Sequence, residues 1–209
     1  MAAAALAAAA SGLASCGGSG YEYVTDRESG LYFKVPDHWT VFDEDQLLAT
    51  DQPVVADMSP QELEVIRATE FWVGFDAAAD PTLDRVTGIM PTEQPTGLAR
   101  VLLLPDDLRT SVSVDDARDA LFDTTPFGEG NVQTLLEEDV YGDDGAFGVH
   151  RIVNVRQPPG PWVTVDQTIM LDPRSPRLYS LLISCTAECF ERERDAISTV
   201  TGSWTIEER

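Results

Sequence analysis

The sequence predicts an α+β fold, an antiparallel β-sheet flanked by helices, and three stretches carry that prediction. Residues 147–155 and 163–171 alternate apolar and polar side chains on either side of the turn Gln157-Pro158-Pro159-Gly160, as two half-buried strands do. Ser59-Pro60-Gln61-Glu62 reads as a helix start: Ser59 caps, Pro60 suits the first helical position, and Glu62 completes a capping box. Cys189–Thr201 reads as a closing helix with Phe190, Ile197 and Val200 facing inward and Gly202 as its stop.

Taken in order, Tyr21-Glu22-Tyr23-Val24 alternates as a strand would, and Ser29-Gly30 makes a turn into a second short strand, Leu31–Val35. Pro36-Asp37 ends it, and Trp39–Phe42 follows. Met58 and Leu63 sit where a hydrophobic staple brackets the Ser59 cap, and Leu63, Ile66 and Ala68 give that helix a modest buried face. Phe71-Trp72-Val73-Gly74-Phe75 is apolar enough for a core strand. Asp80–Thr96, with its prolines, Gly88 and no sustained period, reads as loop, and Leu98–Leu104 as a strand bounded by Pro105. Ser113 caps a helix with Val114, Ala117, Ala120 and Leu121 on one side, its dipole favouring Asp115 and Asp116 in the first turn.

Phe127–Gly130 closes that region, and from Asn131 the chain reads as an antiparallel meander. Phe147, Val149, Val153 and Val155 share one face of their strand, and His150, Asn154 and Arg156 the other. Val163, Val165, Ile169 and Leu171 likewise lie opposite Thr164, Asp166 and Thr168. Leu178–Ser184 is apolar on both faces, which marks a central strand, and Ser203-Trp204-Thr205-Ile206 makes a last short one.

The run Gly30-Leu31-Tyr32-Phe33-Lys34-Val35-Pro36-Asp37-His38-Trp39 resembles the recurrent opening of Mog1/PsbP-like domains, in which a strand ends in Pro and a Trp starts the next. With the meander, the closing helix and the Ser203-Trp204 strand, residues 21–207 resemble a single Mog1/PsbP-like domain of actinobacterial lipoproteins. The resemblance implies an α/β/α sandwich with Trp39 and Trp204 packed into the core. It also implies an assembly or binding module without shared catalytic residues.

Charge narrows the function. Of 209 residues, 36 are acidic and 14 basic, giving a net −22. Such a surface repels phosphate backbones, so nucleic acid is excluded as a partner. Lys34 is the only lysine, an arginine bias that suggests a GC-rich genome.

Residues 2–15 contain only Ala, Leu, Ser and Gly, the makeup of a signal-peptide core, and are too few to span a bilayer, which takes roughly 20 residues. Leu13-Ala14-Ser15-Cys16 resembles the lipobox of bacterial lipoproteins. The resemblance implies removal of 1–15, lipidation of Cys16 on sulfur, and residues 16–20 as the tether of a domain on the outer face of the cell membrane. Alanines follow Met1 directly, without the Lys or Arg usual in such signals. Four residues, Gly17 to Gly20, reach at most roughly 14 Å, so the domain is expected close to the bilayer.

With Cys16 assigned to lipid, Cys185 and Cys189 remain. Along a straight strand they lie roughly 13 Å apart, beyond a disulfide's reach. At a strand-to-helix corner they can meet, and an oxidising compartment favours the bond. His38 and His150 are the only histidines; one falls in a polar turn, the other on a polar strand face, and no Gly-x-Ser-x-Gly elbow accompanies them. No His-Glu-x-x-His, phosphate loop or dinucleotide fingerprint is present, and no cofactor is expected. Asp43-Glu44-Asp45, and Glu137-Glu138-Asp139 with Asp143-Asp144, offer oxygen ligands for weak calcium binding without the twelve-residue loop pattern. Trp162, beside Pro161 at a turn, is the tryptophan expected at the surface and the candidate partner contact.

The expected function is a non-enzymatic, lipid-anchored accessory module of the envelope that binds a protein or small ligand. A hydrolase on the same sandwich is the alternative, marked by His38 or His150 in a pocket beside a carboxylate and a hydroxyl. A weak calcium-binding module is the third reading.

Overall fold

The computed structural model describes residues 20–49, 58–88, 91–105, 112–142, 145–172, 174 and 177–206. Ten strands and six helices follow in the order β1 (Tyr21–Asp26), β2 (Leu31–Pro36), β3 (Thr40–Phe42), α1 (Glu44–Leu47), α2 (Pro60–Thr69), β4 (Glu70–Asp76), α3 (Leu83–Val86), β5 (Thr96–Leu103), α4 (Val114–Asp119), β6 (Val132–Tyr141), β7 (Phe147–Arg156), β8 (Trp162–Asp172), β9 (Arg177–Thr186), α5 (Ala187–Arg192), α6 (Arg194–Gly202) and β10 (Thr205–Ile206). The fold is α+β and antiparallel throughout: a seven-stranded sheet ordered β3-β4-β5-β9-β8-β7-β6 and a three-stranded sheet ordered β1-β2-β10.

Alternation along the strands divides the core. On one face of the large sheet Phe75, Ala99, Tyr179, Leu181 and Ile183 pack with Phe33 and Val35 of β2 and with Ile197 and Val200 of α6. On the other face Trp72 packs with Leu47, Leu63 and Val86 from α1, α2 and α3, and Ala117 and Leu121 pack on Val149, Ile169 and Leu171. Tyr179 Oη, in the sheet's middle strand, donates to Ser29 O at 2.8 Å and ties the two sheets together.

Local chemistry fixes the ends. Ser59 and Glu62 form the capping box: Glu62 N–H donates to Ser59 Oγ at 3.3 Å and Ser59 N–H to Glu62 Oε2 at 2.7 Å. Those hydrogen bonds hold the Glu62 carboxyl below its ordinary range. Ser113 and Asp116 build a second box, and Asp43 and Gln46 a third. Trp39 is buried and stacks on Phe75, while Trp204 is half-buried against Phe33.

Three local expectations are corrected. Asp80–Thr96 is not loop throughout, because Leu83–Val86 forms a single helical turn, too short to show a period. Buried Asp76 organises its approach, accepting from Ala78 N–H, Thr82 N–H and Arg85 Nε, each at 2.9 Å. The closing helix is two helices, broken at Glu193, and Gly202 is the last helical residue with Ser203 as the cap. Helix α4 ends at Asp119, which leaves Ala120 exposed while Ala117 and Leu121 are buried.

Candidate functional site

Strands β6, β7 and β8 extend past α6, and the uncovered floor becomes a cavity of about 510 Å³ closed on its far side by the end of α6 and by β10. That volume suits a small ligand or a side chain. Val140, Ala146, Met170, Trp204 and Ile206 give it apolar walls, and Tyr141 stands at its rim, 72% exposed. The Trp204 indole N–H is buried and finds no acceptor among the described residues. An unmet buried donor costs about 1–3 kcal/mol.

The polar part of the lining includes His150, Thr168 and Arg174. Strand β7 pairs with β8 so that His150 faces Thr168, with Asp166 on the diagonal, and with β6 so that it faces Glu138. Nε2 lies 2.8 Å from Asp166 Oδ1 and Nδ1 lies 3.5 Å from Glu138 Oε1. The hydrogen bond to Asp166 raises the imidazole above its ordinary value, helped by the charges of Asp166 and Glu138 and opposed by burial. A carboxylate beside each nitrogen favours the protonated ring over the neutral one. A triad needs one ring nitrogen turned to a nucleophile, and here neither is. Thr168 also lines the cavity, so a histidine and a hydroxyl share it, with Asp166 held to the imidazole.

Beside the cavity runs β6, the last strand of the sheet, whose outer edge pairs with no described strand. It bulges between Thr134 and Leu136, leaving Leu135 56% exposed. Arg118 of α4 holds Glu137 at 3.1 Å, Asp139 at 2.8 Å and Asp115 at 2.9 Å. A second cavity, about 520 Å³, lies on the opposite face between α3 and α4, floored by Leu98, Leu102, Leu178 and Leu182. Arg100 borders it, stacked 4.2 Å over Trp72 and 2.5 Å from Glu70 Oε2.

The residues singled out from the sequence fall in different places. Cys16 lies outside the described residues, as do Asp143 and Asp144. Cys185 is the last residue but one of β9 and Cys189 sits in the first turn of α5, capped by Thr186; their Cα atoms are 5.9 Å apart and the sulfurs are bonded. Trp162 is half-buried, its ring 4.6 Å from the Arg156 guanidinium at the hairpin tip, about 20 Å along the strands from His150. His38 is exposed in its turn, 3.9 Å from Asp37. Asp43 serves as a helix cap, and Glu137, Glu138 and Asp139 point to Arg118 or His150 rather than to a common centre. Among the described residues no cluster of His, Cys, Asp or Glu is arranged to hold a metal ion. Sequence reasoning missed the exposed pair Leu135 and Tyr141 on β6, whose apolar character in a polar strand was the available signal.

No protein-family model matches the chain, and no curated protein matches it by sequence. Solved structures do. The cyanobacterial PsbP (CyanoP) of Synechocystis sp. PCC 6803 is 16% identical with a TM-score of 0.51, over 93% of this chain and 99% of that one. LpqN of Mycobacterium tuberculosis, described as involved in cell envelope biogenesis, is 15% identical with a TM-score of 0.48, over 90% of this chain and 91% of that one. The Ran-binding protein Mog1p of Saccharomyces cerevisiae is 9% identical with a TM-score of 0.42, over 89% and 95%. The likeness to CyanoP concerns the fold: this chain has the Mog1/PsbP-like architecture of an antiparallel sheet flanked by helices.

Proposed function

We propose that the chain is a lipid-anchored, extracytoplasmic binding or accessory module of a bacterial envelope, of actinobacterial type, and not an enzyme. The observation that carries the binding reading is the cavity beside Trp204, whose histidine has a carboxylate beside each ring nitrogen, so that neither nitrogen is turned to a nucleophile. The lipobox at Cys16, and the Cys185–Cys189 disulfide that suits an oxidising compartment, support the location. Among the described residues no helix is long and apolar enough to cross a membrane. Trp162, half-exposed at the hairpin tip, is a secondary contact in this reading.

The hydrolase alternative makes a different forecast for the same histidine. The purified chain, offered chromogenic ester, phosphoester, glycoside and peptide substrates, is expected to turn over none of them. Turnover that His150→Ala abolishes would overturn the binding reading.

A further inference from the structure

We infer that the outer edge of β6 is a docking strand for an extended, basic segment of a partner protein, paired antiparallel, with an apolar residue followed by three basic ones. The inference rests on the reading of the chain as a binding module and names the partner of that same site.

Four observations converge on this edge. First, β6 is ten residues long and its outer backbone groups face no described strand, which leaves a template for one more. Second, the strand carries two of the large apolar side chains most exposed in the chain, Leu135 at 56% and Tyr141 at 72%. Leu135 and Tyr141 flank the acidic run, so each offers an apolar contact to a strand added there.

Third, Glu137, Glu138 and Asp139 stand consecutively, so the acidic charge projects from both faces of the strand. Arg118 and His150 partly balance them from inside, yet Asp115 and Asp119 of α4 add further exposed acid. Pairing with β6 of a second copy in the antiparallel register centred on Glu138 sets carboxylate against carboxylate, which like-charge repulsion opposes. A basic segment meets the opposite condition, each Lys or Arg falling across from an acid.

Fourth, the cavity opens at the end of this strand, with Val140 and Tyr141 in its lining. Val140 and Glu138 share the face of β6 that carries the cavity. A strand added antiparallel to β6 therefore places one residue opposite Val140, on the β6 side of the cavity, and then its next residues opposite Asp139, Glu138 and Glu137. Pairing in the same sense as every other strand of the sheet fixes the order as apolar, basic, basic, basic.

The test uses the full chain and a short fluorescent peptide in which Phe precedes three lysines within a Thr- and Val-rich extended segment. Anisotropy titrations at moderate salt compare it with a peptide carrying Glu for Lys, and with one N-methylated at alternate amides along the pairing edge. Binding of the parent peptide is expected, with at least tenfold weaker binding of both others and new hydrogen-exchange protection in β6. Equal binding of the N-methylated peptide, or protection elsewhere than β6, overturns the edge assignment in favour of diffuse charge attraction; absence of binding overturns it outright. Either failure leaves the binding-module reading standing, because that reading falls only if turnover dependent on His150 is found.

Discussion

The imidazole of His150 donates toward Asp166 on one side and Glu138 on the other, so the folded chain favours its protonated form. A histidine whose folded pKa is raised contributes stability that is fully present below its unfolded value, about 6.5. That contribution is lost as pH rises through the folded value. The melting temperature of the chain is therefore expected to exceed that of His150→Gln most below about pH 6.5, with the gap narrowing as pH rises. A gap that widens with pH would contradict the clamped imidazolium. Part of this geometry was legible in advance. His150 and Asp166 were each placed on a polar strand face, and folding the hairpin about Pro159 sets His150 opposite Thr168. The diagonal reach to Asp166 and the third partner on β6 needed the sheet itself.

Elements with a strong local signature were readable, and short ones were not. The Ser59 and Ser113 caps and the double-sided apolar strand β9 declare themselves through side chains whose role is decided within a few residues. The single turn α3 and the break at Glu193 do not, because tertiary contacts with β4 and with the core set them. One glycine decides how closely two elements approach. A Cβ on Gly148 would lie 1.8 Å from Ile169 O and 2.9 Å from Met170 Cα, all of it backbone of the neighbouring strand. Strands β7 and β8 would have to part beside His150. Gly148→Ala is expected to destabilise by about 3 kcal/mol in urea unfolding, the upper range for forced overpacking. A change below about 0.5 kcal/mol would show that the two strands yield easily there.

At the scale of the whole molecule, pattern gave the class and chain separation hid the arrangement. The large sheet joins β5 to β9 and the small sheet joins β2 to β10, pairings between distant segments that no local period encodes. The consequence is functional: β10 and the end of α6 form the far wall of the cavity floored by β7 and β8, so the site exists only once the C-terminus returns to β2. The acidic surface, net −22, is carried by a domain whose first described residue, Gly20, lies four positions after Cys16. The proposed anchor at Cys16 would hold this domain near a bilayer without requiring anionic lipid, which the charge would repel.

The central claim, a binding module held to the membrane by Cys16, is tested most directly by the intact mass of the chain recovered from the membrane fraction of a bacterial host. The expected mass is that of the chain beginning at Cys16 plus a thioether-linked diacylglycerol, with Cys16→Ala released into the soluble fraction. A membrane-bound chain of unprocessed mass, or a Cys16→Ala variant that stays in the membrane fraction, would contradict it.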